Sequence, residues 1–332
     1  MTDSPPPVPT PAAASRPTTA RERALAPDLA RGGMLLLIAL ANASIYLYGR
    51  PYGPRGHLAD GSALDHVWTF VQMLLIDGRA YPMFAALFGY GMVQFLDRRV
   101  AAGGSFDTAK HLLQRRSVWL LGFGFLHALL LFPGDILATY GLCGFLVVAL
   151  LGRSDRLVLG TASALLPVIA LLGAVMALEF PDPTKRAVVP SLVEPAYLTA
   201  AGGRVLDWLG VTLAQLLLVL TPMLFGVWAA RRRLLDDPAA HRALLRSVAV
   251  IGLAAAVVGG LPLALAAAQV WNPPVGLDLV FGVLHTLGGT AGGLGYAALI
   301  GIVTIGVTRR GPVLEAVVAL GQRSLTFYLF QS

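Results

Sequence analysis

Two histidines and a handful of acids and arginines stand in stretches that otherwise hold almost only apolar residues. His127 lies in LGFGFLHALLLFPGDIL, and Asp135 follows beyond Pro133 and Gly134. A histidine beside an aspartate is the pair that orients a base and stabilises its protonated form. With the turn apex at Pro133 and Gly134, His127 is level with Tyr140, and Asp135 lies roughly 8 Å nearer the outer surface at 1.5 Å per residue. Direct contact is therefore expected only with distortion or through a bridging water. Two readings stand for each residue: His127 as a general base or ligand, or as hydrogen-bonded packing; Asp135 as its orienter, or as the cap of the next helix.

Asp77, Arg79 and His285 fall on the same side as this pair, so five polar groups from separate segments approach one leaflet. Asp77 and Arg79 also read as a simple interfacial pair, and His285 as packing within a glycine-rich helix. Arg323, in the last apolar run, needs an anionic partner or a polar cavity. His57, Asp60, Asp65 and His66 share the loop GHLADGSALDH, but their spacing matches no closed zinc pattern, and no metal is expected. No serine elbow, phosphate-binding loop or kinase motif set is present.

The elements that position these residues follow from composition. Of 332 residues 56% are hydrophobic and only 13% charged, with a mean hydropathy of +0.70. That is too few charges to cover a water-soluble surface, since globular chains carry about 25%. Stretches free of Asp, Glu, Lys and Arg fall at 32–49, 80–96, 117–134, 136–152, 157–178, 208–230, 247–277 and 279–308, and a ninth run at 313–332 carries Glu315 and Arg323. The expected fold is therefore all-α: a polytopic transmembrane helix bundle of about nine spans. Residues 66–76 are too short to span and add one interfacial or re-entrant helix. Residues 1–30, rich in Pro and Ala, read as a disordered cytoplasmic tail, followed by an N-terminal transmembrane unit at 31–152 and a C-terminal one at 153–332. Gly288, Gly289, Gly292, Gly293 and Gly295 carry small-residue spacings that let helices approach closely in lipid.

The net charge of +7 comes from 25 Lys and Arg against 18 Asp and Glu. With the N-terminus inside, most of those cations fall in cytoplasmic loops, as multi-pass proteins require. This accounts for the charge through membrane lipid and leaves no call for nucleic acid. The single cysteine, Cys143, excludes an internal disulfide framework.

Several stretches together are familiar. DLARGGMLLLIALAN, DGRAYPMFAALFGYGM, LLQRRSVWLLGFGFLHALLLFPGDILATYGLCG, TPMLFGVWAARRRLL and GQRSLTFYLFQS resemble, in order, the YeiB-like bacterial inner-membrane proteins, whose C-terminal half is the domain of unknown function DUF418. That group is in turn similar to transmembrane acyltransferases, including a lysosomal enzyme that acetylates heparan glucosamine. The resemblance implies transfer of an acyl unit from cytosolic acyl-CoA, a co-substrate rather than a resident cofactor, to a cell-envelope glycan or lipid. Its motif positions here are Asp28, Arg31, Asp77, Arg79, His127, Asp135, Arg323 and Gln331. On that reading His127 and Asp135 are catalytic, and Asp77, Arg79, His285, Arg323 and Gln331 bind substrate. Arg31, Arg98, Arg99 and Arg115 meet acyl-CoA. Related sequences continue past the equivalent of Ser332, so the resemblance also implies a truncated chain. The rival readings are a transporter or flippase for a lipid-linked or anionic solute, and a non-catalytic membrane protein.

Overall fold

A computed structural model describes residues 24–47, 49, 51, 56–178, 189–274 and 276–331, and the described residues contain helices and turns but no β-strand. The helices are α1 (Leu25–Asn42), α2 (Ala63–Leu75), α3 (Ala80–Ala101), α4 (Phe106–Leu130), α5 (Leu137–Leu150), α6 (Asp155–Ala177), α7 (Tyr197–Arg231), α8 (Arg242–Ala267), α9 (Leu277–Ile305), α10 (Pro312–Gln322) and α11 (Ser324–Leu329). Their starts follow local chemistry. Ser105 and Ser154 accept the amide hydrogens of Thr108 and Leu157 to open α4 and α6. Ser62 and Asp65 form a reciprocal capping box at α2.

Five segments are long and apolar enough to cross a membrane: Leu25–Tyr46, Asp155–Ala177, Tyr197–Arg231, Arg242–Ala267 and Leu277–Ile305. This is fewer than the nine expected spans. α3 and α4 have the length, but each includes a turn of charged residues (Asp97, Arg98 and Arg99; Lys110, Arg115 and Arg116), and α5 has only 14 residues. The run at 313–332 is not one helix, because the chain breaks at Arg323 (φ −114°, ψ 32°) between α10 and α11. The short helix expected at 66–76 is α2. At the other terminus, α1 begins at Leu25 and so takes in residues 25–30 of the expected tail; the tail up to residue 23 lies outside the described residues.

One end of the bundle is basic. There Arg231 and Arg232 of the α7 end grip Asp155 at 2.8 and 2.5 Å, and Tyr90 and Gln94 of α3 donate to Asp236. The far end holds α2, the turn at 131–136 and the start of α7, where Arg204 donates to Leu129 O at 2.9 Å. Helices of the N- and C-terminal units share the core, since α3 packs on α7 and α9, and α1 packs on α10. The glycine run of α9 is buried, with α8 as its most extensive neighbour.

Candidate functional site

α4 ends at Leu130, where the amides of Leu131 and Phe132 both turn back to His127 O at 2.9 Å. His127 is thus in the last turn of its helix, and Asp135 stands just before α5. The carboxylate accepts the amides of Leu137 and Ala138 through Oδ1, at 2.9 and 3.3 Å, while Oδ2 lies 2.8 Å from His127 Nδ1. The contact is direct, without a bridging water, because residues 131–136 are not helical and the depth count along two ideal helices does not apply to them. Both side chains are almost fully buried. The His127 ring lies 5.8 Å from that of Tyr328, whose hydroxyl accepts from Ile136 N at 3.0 Å.

The second cluster forms where α2 meets α3. Gly78 adopts a left-handed φ of +72°, and a Cβ there would stand 2.7 Å from His285 Nε2, so only glycine lets the ring lie against this turn. Asp77 Oδ2 is 3.5 Å from His285 Nε2, and Arg79 Nη1 is 3.4 Å from His285 Nδ1. Arg79 is fully buried and donates to three carbonyls: Met73 at 2.9 Å, Ala256 at 2.7 Å, and Asp77. Asp77 and Arg79 are therefore parts of one cluster with His285 rather than an isolated surface pair.

Three cavities set what a ligand can reach. The far-end cavity, about 290 Å³, is lined by Asp77 and His285 together with Asn42, Tyr81, Gln215 and Thr286. A middle cavity of about 230 Å³ reaches from Phe84, Ile136, Tyr140 and Tyr328 to Arg31, Arg98 and Arg116. A basic-end cavity of about 400 Å³ is lined by Asp28, Arg31, Gln94, Arg98, Arg233 and Asp236, among others. Phe84, Ile136, Tyr140 and Tyr328 line both the far-end and middle cavities, and Asp28, Arg31 and Arg98 line both the middle and basic-end ones.

Measured against these cavities, the expected site residues separate. Asp77 and His285 face the far-end cavity, and Arg31 and Arg98 face the other two. His127 and Asp135 line none of the three; they sit behind Ile136 and Tyr328. Arg99 lies over the Phe95 ring, and Arg115 is exposed outside the cavities. Arg323 is exposed at the α10–α11 break rather than buried mid-helix. Gln331 donates to Leu35 O at 3.0 Å and joins α11 to α1. Among the described residues no cluster of metal-binding side chains occurs.

Two basic residues escaped the sequence reading. Arg116 lies 4.8 Å over the Phe88 ring at the middle cavity. Arg233 holds a left-handed φ of +55° just past α7, where its amide bonds Ala230 O and that of Leu234 reaches Ala229 O. Glycine usually occupies such a position, and nothing in the run Arg231, Arg232 and Arg233 marks the third as left-handed, so the sequence held no signal for it.

Residues 229–332 match the family model described as "Protein of unknown function (DUF418)". The chain is 24% identical to the uncharacterized protein YxaH of Bacillus subtilis (strain 168), over 96% of this chain and 81% of that one. It is 30% identical to an uncharacterized 39.9 kDa protein in the amylase 3′ region of Bacillus acidopullulyticus, over 46% of this chain and 41% of that one. It is 33% identical to the uncharacterized protein YeiB of Escherichia coli (strain K12), over 38% of this chain and 30% of that one. No solved structure matches. The likeness to the DUF418 family model is thus carried by the C-terminal third of the chain, and the likeness to YxaH by nearly its whole length.

Proposed function

We propose that this membrane protein transfers an acyl group from acyl-CoA, bound at the basic end, to a hydroxyl or amine of a cell-envelope glycan or lipid reaching the far end. The observation that carries the reading is the shared wall: Phe84, Ile136, Tyr140 and Tyr328 separate an arginine-lined approach from a cavity bearing a carboxylate and a histidine. By the positive-inside rule the basic end faces the cytoplasm of a bacterial cell, the compartment that supplies acyl-CoA. Arg31, Arg98, Arg116 and Arg233 suit its phosphates, because guanidinium forks bind phosphate oxygens bidentately. In the reaction the thioester arm passes the shared wall at Phe84, Tyr140 and Tyr328 into the far-end cavity, the acceptor oxygen or nitrogen attacks its carbonyl, and the carbon–sulfur bond breaks. The acceptor's proton passes to the Asp77–His285 pair and then to the departing CoA thiolate. A general base must come within hydrogen-bond reach of the proton it takes, and this is the pair that faces a cavity. His127 and Asp135 then act as positioning residues, holding the turn that places Ile136 and Tyr328.

Purified protein in lipid nanodiscs, titrated with acetyl-CoA, longer acyl-CoAs and unrelated nucleotides, tests the reading by thermal unfolding and by release of free thiol. A ligand at 100 times its dissociation constant stabilises by about 2.7 kcal/mol. A CoA-specific shift in the wild type, retained in His285→Ala without transfer, is expected. Absence of both shift and thiol release from folded protein overturns it. The end-to-end sequence of cavities also favours a second reading, a transporter of an anionic solute, which predicts uptake into proteoliposomes without consumption of the thioester.

A further inference from the structure

Among the buried polar atoms that lack a hydrogen-bond partner among the described residues, five lie on two neighbouring helices: Thr139 Oγ1 of α5, and Asp207 Oδ2, Trp208 Nε1, Thr212 Oγ1 and Gln215 Oε1 of α7. They are not scattered. α5 and α7 both run from the far end toward the basic end, and Cys143 Sγ donates to Leu216 O at 3.3 Å. One turn farther out on each helix brings Thr139 and Thr212 to a common level, and Asp135 stands just before α5, holding its first amides at Leu137 and Ala138. α4 closes the third side, with the Phe125 ring 5.8 Å from Trp208. On α7 the four residues fall within about 140° of arc at 100° per residue, with Gln215 near its middle. Gln215 also lines the far-end cavity.

The threonines exclude a trivial explanation. A helical threonine commonly bonds the carbonyl one turn back, as Thr221 does to Leu217 and Thr290 to Thr286, each at 2.9 Å. Thr139 and Thr212 make no such bond, although their side chains are almost wholly buried. Lipid offers neither donors nor acceptors, and buried polar groups of proteins are met by protein or by internal water, which takes two to four partners.

The geometry points to a file of internal water in the α4–α5–α7 seam, running from Asp207 at the far end, past the His127–Asp135 pair, to Gln215 at the cavity. The seam connects a buried acid–base pair to the aqueous phase on one side of the membrane. This inference does not depend on acyl transfer; it holds equally for a transporter.

The full chain with Cys143→Ser, reconstituted in liposomes and carrying single cysteines, tests it. Thr212→Cys and Thr139→Cys are compared with Leu213→Cys, whose side chain faces outward, by modification with a small charged methanethiosulfonate from each side. Both seam positions should react at least tenfold faster than Leu213→Cys, from the far side only. Seam cysteines no faster than the outward-facing one, or modified only from the basic side, overturn the proposal. Shape-preserving Thr139→Val and Thr212→Val give an independent measure in unlabelled protein. In a wet seam they lower the melting temperature by removing hydroxyls that hold water, whereas a rise in either shows a dry seam.

Discussion

At Asp135 the two carboxylate oxygens do separate work: Oδ2 meets His127, and Oδ1 holds the first amides of α5. Asparagine still accepts the amides, while alanine loses both roles. Removing one partner of a buried pair costs about 3 to 5 kcal/mol. Asp135→Ala should therefore destabilise by about 3 kcal/mol and Asp135→Asn by roughly a third of that, checked by thermal unfolding in detergent. Arg233 makes the opposite case. Its left-handed backbone costs a non-glycine residue about 1 to 2 kcal/mol, so Arg233→Gly should leave stability equal or raised while weakening acyl-CoA binding several-fold, read by the ligand-induced shift. Sequence showed His127 and Asp135 as residue types worth pairing, but not their contact. That depended on where α4 stops, and the apolar run continues past the stop without a break.

Among the elements, α4 and α5 meet through Gly124. A Cβ at this position would lie 2.5 Å from Asp135 Oδ1 and 2.7 Å from Ala138 N, whereas one at Gly122 would meet nothing within 4 Å. Gly124→Ala should cost about 1 to 3 kcal/mol by forcing the helices apart, and Gly122→Ala should gain up to about 1 kcal/mol from helix propensity; unfolding of the two side by side isolates packing from propensity. Helix identity was legible because long apolar runs leave few alternatives, and the short α2 could be read from its length. The last run was misread for a physical reason. Gly321, Gln322, Arg323 and Ser324 interrupt the apolar run, but run length alone passes over them; there the chain bends to let α11 follow α1 and place Tyr328 beside His127.

For the whole molecule, the wall at Phe84, Tyr140 and Tyr328 decides whether the two ends communicate. The rings of Phe84 and Phe88 stand edge-on to Tyr140 at 5.4 and 5.2 Å, which closes the interior without charge. Phe84→Ala should join the two cavities, and proteoliposomes carrying it should leak a small anion severalfold faster than wild type; an unchanged leak shows that other side chains hold the barrier. The cradle of Arg79 bears on how the protein is made. One of the carbonyls that solvate its guanidinium belongs to Ala256, which follows 177 residues later in the chain. At about 5 to 20 residues per second, a ribosome takes roughly 10 to 35 s to deliver that partner, and through this interval the first hairpin holds an incompletely solvated cation. The turn that opens α3 is thus incomplete until α8 arrives, and an N-terminal fragment ending before α8 should be degraded faster than the full chain, as a pulse–chase would show.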